Sequence, residues 1–171
     1  MTSKQSKAGV IVGLISVVLI VALDQWTKYL ASTQLSYDAP VEILPVLNFT
    51  LHHNTGAAFS FLADAGGWQR WFFTGLSSAV SLFILVWLCR LSAAQRLMTV
   101  SLSLILAGAV GNLWDRLVLG YVVDFISVHY QGSYFPTFNV ADAAITVGAG
   151  LMILDMLVNP HHHQNSSAEK A

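Results

Sequence analysis

Residues 9–23 read GVIVGLISVVLIVAL, an apolar run without a charged residue that stands behind Lys4 and Lys7. Taken alone, such a run fits the core of a cleavable signal peptide as well as it fits a spanning helix. Three further runs decide between the two: Trp71–Leu88, Leu97–Leu113 and Ala143–Val158, the last of which carries Asp155. Each reaches the roughly 20 residues needed to cross hydrocarbon once flanking residues are counted. The first run is therefore helix one. It continues through Trp26 to about Leu30, where Trp26 and Tyr29 suit the polar edge of a bilayer.

Composition agrees. Of 171 residues, 55% are hydrophobic and 10% charged, with a mean hydropathy of +0.62, far from the balance of a water-soluble domain. The expectation is an all-α membrane protein. It is a single integral membrane domain over residues 1–171, a bundle of four transmembrane helices at about 9–30, 70–89, 97–114 and 140–158. Eight Lys and Arg against nine Asp and Glu give a net charge of -1 with no basic cluster to track phosphates, so nucleic acid is not an expected partner. Cys89 is the only cysteine, which excludes an internal disulfide; its apolar neighbours suggest a buried structural thiol.

Lys4, Lys7, Arg90, Arg96 and Lys170 fall on one side of this arrangement, and Lys28, Arg70 and Arg116 on the other. Five against three places both termini in the cytoplasm. The segments at about 31–69 and 115–139 then lie outside and hold nearly all remaining polar residues, so function is sought there. Val46–His52 alternates as a strand, Asn54-Thr55-Gly56 reads as a turn, and Val41–Leu44 can pair with that strand in a small outer-face sheet. Residues 160–171 read as a polar, mobile tail.

Asp24, Asp115, Asp124 and Asp142 all sit near the outer ends of apolar segments. An ionised side chain at mid-membrane costs roughly 2.5–3.5 kcal/mol, so acids so placed point to function, although solvation among headgroups would also accommodate any one of them. Asp124 lies in the apolar stretch Gly120–Ile126, and Asp142 follows Phe138-Asn139-Val140-Ala141 where helix four begins. Two facing carboxylates share a proton, one acting as base on water and the other as acid on a carbonyl. The helix dipole favours the charged form of Asp142, and the apolar neighbours Phe125 and Ile126 favour the neutral form of Asp124.

Asn54, Asn112 and Asn139 offer amides, and Arg116 a planar fork of donors, to hold a peptide. Asn112 and Arg116 are four apart and would share a face if both were helical; Asp115 can pair with Arg116 or with another basic group. Asp24 and Lys28 are spaced as a helical ion pair that supports the site. Competing constellations are thinner. His52 and His53 are neighbours on a strand and would supply one ligand each to different faces, while Ser127 and His129 lack a nucleophile elbow.

The ordered motifs resemble those of the lipoprotein signal peptidases, the type II signal peptidases of the bacterial cytoplasmic membrane. They are Asp24-Gln25-Trp26-Thr27-Lys28, Asn54-Thr55-Gly56-Ala57-Ala58-Phe59, Gly108–Arg116, Gly120-x-Val122-x-Asp124-Phe125 and Phe135–Asp142. The resemblance implies an aspartic endopeptidase with Asp124 and Asp142 as the catalytic pair, and Asn54, Gly56, Asn112, Asp115, Arg116, Asn139, Asp24 and Lys28 around it. It implies a diacylated prolipoprotein as substrate, cut before its lipid-modified cysteine among membrane lipids. No metal or organic cofactor is implied, nor an oligomeric partner. The alternatives are a small proton- or ion-coupled transporter, since intramembrane acids also mark relays, and a noncatalytic assembly factor packed through Gly148 or Gly150.

Overall fold

A computed structural model describes residues 7–56 and 67–159 of the chain. The expectation of a mobile tail at 160–171 lies outside the described residues, as do Ala57, Ala58 and Phe59 of the second motif. Four helices are long and apolar enough to cross a membrane: α1 (Lys7–Gln34), α2 (Trp68–Arg90), α3 (Arg96–Val118) and α4 (Val140–Val158). More than half of the apolar window of α3 is buried, 56% against 17–22% in the other three, so α3 is the central helix. Val17 of α1, Ile84 and Leu88 of α2, and Met98, Leu102 and Leu106 of α3 form the apolar core.

In lipid, apolar contact alone gives helices little reason to associate, and small residues that let backbones approach take over. The seam between α3 and α4 is built this way. A Cβ on Gly108 would collide with the carbonyl oxygen of Ala141, and one on Gly148 would stand 2.8 Å from the carbonyl oxygen of Ser101. Ser101 Oγ in turn donates to the Gly148 carbonyl at 2.7 Å. Gly150 faces open space, so Gly148 is the packing glycine of the two. Cys89 corrects the expectation of a buried thiol: Leu88 takes the inward position, and the next residue along the helix is turned to the exposed face.

α3 runs past the expected end near residue 114, which makes Asp115 and Arg116 helical. Leu119 N and Gly120 N both donate to the Asp115 carbonyl, and Gly120 leaves the helix at φ +88, a conformation suited to glycine. Arg70, near the start of α2, donates from Nε to the Arg116 carbonyl and from Nη2 to that of Leu117, each at 2.9 Å. These bonds satisfy the last carbonyls of α3, which have no partner within their own helix.

Beside this end of the bundle lies an antiparallel sheet in the order β1 (Val41–Leu44), β2 (Leu47–Asn54), β3 (Val122–Tyr130), β4 (Ser133–Tyr134). The pairing of β1 with β2 follows the sequence expectation. β3, which carries Asp124, does not read as a strand because both of its faces are buried at its start, which leaves no alternation of apolar and exposed polar residues. Its register with β2 sets His52 opposite Asp124 and Asn54 opposite Val122. On the other edge of β3, Phe138 exchanges backbone bonds with Ile126, 2.8 and 3.0 Å long. That bridge brings the segment before α4 against Asp124.

Candidate active site

Three elements meet where α3 ends, α4 begins and β3 passes. Asn139 caps α4: its Oδ1 accepts from Asp142 N at 2.9 Å, while Asp142 Oδ2 accepts from Asn139 N at 3.3 Å. This reciprocal capping box holds the Asp142 carboxyl at the first turn of the helix. The amide nitrogen of Asn139 points the other way and donates to Asp124 Oδ1 at 2.7 Å. Asn54 Nδ2, at the end of β2, donates to Asp124 Oδ2 at 3.0 Å. Asn112 Nδ2, from α3, donates to Asp142 Oδ1 at 2.7 Å.

Both carboxyl groups thus lie in one amide cradle. Both also line one cavity of about 550 Å³, together with Asn54, Asn112, Arg116 and, further along α4, Ile145 and Val147. Asp124 is buried, and burial, followed by the Asp142 charge, raises its pKa from 3.8 to about 7; hydrogen bonds from Asn54 and Asn139 oppose the rise. A carboxyl so placed is still partly protonated near neutral pH, and in that form it can donate a hydrogen bond.

Behind the pair sits a buried ionic cluster. Lys28 Nζ is 2.8 Å from Asp24 Oδ2, 2.9 Å from Asp115 Oδ2 and 2.9 Å from Asn112 Oδ1. Asp24 Oδ1 accepts from Ala141 N at 2.8 Å, and Asp115 Oδ2 from Val123 N at 3.1 Å. The two acids therefore tie α1 and α3 to the residues next to Asp142 and Asp124 respectively. The cluster explains Gly111 as well, since a Cβ there would stand 2.7 Å from Asp24 Oδ2. Of the two partners open to Asp115, the structure selects Lys28.

Arg116 instead donates from Nη2 to the Gly56 carbonyl at 3.1 Å and from Nη1 to the Asn112 carbonyl at 3.4 Å, with its guanidinium over the Phe73 ring. Its Nε is buried and has no hydrogen-bond partner among the described residues. Gly56 N closes a turn on Asn54 Oδ1 at 3.0 Å, which aims the Asn54 amide nitrogen at Asp124. All ten residues singled out in the sequence thus meet in one connected region.

Gln25 is the partner that sequence reasoning missed. Its Nε2 donates to Asp115 Oδ1 at 2.8 Å, and the only signal for it was its place beside Asp24 in the first motif. The competing sets do not assemble. His129 faces Asn48 and stacks on Tyr134, His53 stacks on Tyr121, and His52 lies between Asp38 and Thr137. Among the described residues no group of three or more His, Cys, Asp or Glu side chains is arranged to hold a metal ion.

Comparison with known proteins assigns the family. A family profile described as Signal peptidase (SPase) II matches residues 16–158. A lipoprotein signal peptidase of Acinetobacter baumannii is 55% identical over 152 residues, covering 88% of this chain and 86% of that protein. One from Coxiella burnetii is 54% identical over 143 residues, covering 84% and 88%. A solved bacterial membrane enzyme superposes with a TM-score of 0.80 at 32% identity, covering 95% of this chain and 96% of the other. With its four apolar helices, the chain is a multi-pass bacterial membrane protein, and it belongs to the signal peptidase II family.

Proposed function

We propose that the chain is an aspartic endopeptidase that removes the signal peptide from diacylglyceryl-modified prolipoproteins, cutting just before the lipid-modified cysteine. The observation that carries this reading is the pair of carboxyls, Asp124 and Asp142, lining one cavity in a shared amide cradle. Asp142, at a helix amino terminus, is the base that takes a proton from water. Asp124, protonated, donates to the scissile carbonyl oxygen as the water oxygen attacks its carbon. Collapse of the tetrahedral intermediate breaks the carbon–nitrogen bond, and the proton held by Asp142 passes to the leaving nitrogen. The chemistry uses carboxyls and water, and no metal ion or organic cofactor has a part in it.

The active site belongs at the outer face of the cytoplasmic membrane, with both termini cytoplasmic, which puts the pair beside a bond just outside a lipid-embedded signal helix. Diacylated precursor and membrane lipids are the partners; the reading needs no second subunit. The apolar wall along α4 suits the signal helix and acyl chains. The relatives give no support to a transporter, and Asp155, the acid that would continue an ion path, lies on α4 toward the opposite end of the bundle from this cavity.

The test is cleavage of a diacylated precursor by purified protein. Asp124→Asn and Asp142→Asn should each abolish turnover while the protein stays folded, because an amide keeps the shape but cannot exchange the proton. Substantial turnover by either variant removes that residue from the pair. Chelators should leave the wild type active; loss restored by zinc would bring His52 and His53 back. Proton flux into liposomes without cleavage would establish the transporter.

A further inference from the structure

Asp124 forms part of the wall of two cavities. One is the 550 Å³ cavity along α4. The other, about 730 Å³, lies over the sheet and is lined by Asp38, Thr50, His52, Ser127 and Tyr134 among others. Asn54, Phe135, Pro136 and Thr137 border both.

An endopeptidase must hold chain on each side of the bond it cuts, and the two cavities differ in the chemistry they offer. The first runs down a membrane-crossing helix past Ile145 and Val147, so it suits the segment before the bond. The second is walled by hydroxyls, two imidazoles and two carboxyls on strands and connections outside the spans, so it suits the segment that leads into water.

We propose that the sheet-side cavity binds the peptide segment following the cleaved bond, and that it disfavours acidic side chains there. The proposal rests on the reading of Asp124 as catalytic. Among the described residues the lining holds one carboxylate read as ionised, Asp38, beside the protonated Asp124, and no Lys or Arg. Partial burial and the neighbouring His52 lower the pKa of His53, so His53 adds no compensating charge near neutral pH.

Asp38 is fixed at the rim and still open. Its backbone N donates to the Leu51 carbonyl at 3.1 Å, and its Oδ1 lies 3.2 Å from His52 Nε2, while His52 Nδ1 lies 3.0 Å from Thr137 Oγ1. Its side chain remains 76% exposed. A fixed, exposed carboxylate attracts a cationic side chain and repels an anionic one by the modest amount of a surface pair.

The experiment uses the full-length wild-type enzyme and three diacylated precursors that differ at the second and third residues after the cleaved bond: Lys, Asn or Asp. We expect kcat/KM to fall in that order, about two- to five-fold from Lys to Asp. Asp38→Asn should flatten the order; Asn also tolerates the left-handed backbone that Asp38 adopts, so the strand connection is kept. Glu42→Gln, on β1 and outside the cavity, should keep the order. Equal kcat/KM for the three precursors in the wild type, or an order that survives Asp38→Asn, overturns the charge selection.

A precursor analogue with a non-hydrolysable scissile bond and a photo-crosslinker on the third residue after it tests the placement. Adducts should fall on His52–Thr55 and Tyr134–Thr137. Adducts confined to Ile145–Val147 overturn the assignment of the cavity. Failure of the catalytic reading would show separately, as turnover by Asp124→Asn, because crosslinking of the analogue needs no cleavage.

Discussion

Lys28 Nζ stands 2.9 Å from Asn112 Oδ1, which also accepts from Asn139 Nδ2 at 3.2 Å, and these two donors set which way the Asn112 amide faces. An amide whose oxygen accepts from an ammonium must turn its nitrogen away, and here the nitrogen meets Asp142 at 2.7 Å. We propose that Lys28 is a positioning residue acting through Asn112, in addition to neutralising Asp24 and Asp115.

The two roles can be separated. Lys28→Met leaves two buried carboxylates without a cation, a change that typically costs about 3–5 kcal/mol. Adding Asp115→Asn removes one of those charges and should restore much of the lost stability. Activity should stay down by about ten- to a hundredfold, since Asn112 has still lost the ammonium that orients it and keeps only the longer bond from Asn139 Nδ2, at 3.2 Å. Turnover that returns together with the melting temperature would make Lys28 a structural residue alone.

The four spans were legible because length and unbroken apolarity are properties of adjacent residues. The end of α3 was less so: Asp115 and Arg116 look like loop polarity until their partners, Lys28 and the Gly56 carbonyl, are known. β3 was hidden for the same reason, since Val122, Val123 and Phe125 are buried on both faces and leave no alternation to read. In the site, motifs named the residues but not their pairing. Asn54 meets Asp124 across 70 positions and Lys28 meets Asn112 across 84, distances over which periodicity carries no information.

Topology is tested by reporter tags. Tags at the amino terminus, at Ser92 between α2 and α3, and after Ala171 should report cytoplasm, and tags at Asp38 or Gln131 the outside. An outside report from Ser92 would put the carboxyl pair on the wrong face for a secreted substrate.

Arg116→Lys should lower turnover by at least about tenfold while changing the melting temperature little. The guanidinium spans the carbonyls of Gly56 and Asn112 and lies over the Phe73 ring, 5.5 Å from its centroid. A lysine ammonium is a flexible point charge and cannot keep all three relations at once. The segment carrying Asn54 would then drift relative to Asp124. Near-normal turnover combined with much earlier melting would instead make Arg116 an anchor of the fold.

The last prediction concerns pH and follows from the raised pKa of Asp124. Its carboxyl titrates near 3.8 when unperturbed and at about 7 in the fold, because burial and then the Asp142 charge disfavour its ionised form. The folded protein therefore binds this proton more tightly than the unfolded chain. Its contribution to stability is fully present below the unfolded value, erodes as pH rises, and is lost above about 7. At about 1.4 kcal/mol per pKa unit the whole effect is on the order of 4 kcal/mol. Asp124→Asn has no proton to lose at this position, so the wild type should lose stability relative to that variant as pH is raised from about 4 to about 7. Parallel melting curves for the two proteins across that window would show that Asp124 is not the group that titrates. The kcat/KM of the wild type should fall on the alkaline side of about 7, as Asp124 loses the proton it is proposed to donate to the scissile carbonyl. Asp142→Asn removes the second cause but not the first, so the Asp124 inflection in that variant should move down without returning to 3.8. An infrared titration of the carboxyl band in Asp142→Asn measures this directly, and an inflection back at 3.8 would mean that charge, and not burial, dominates the shift.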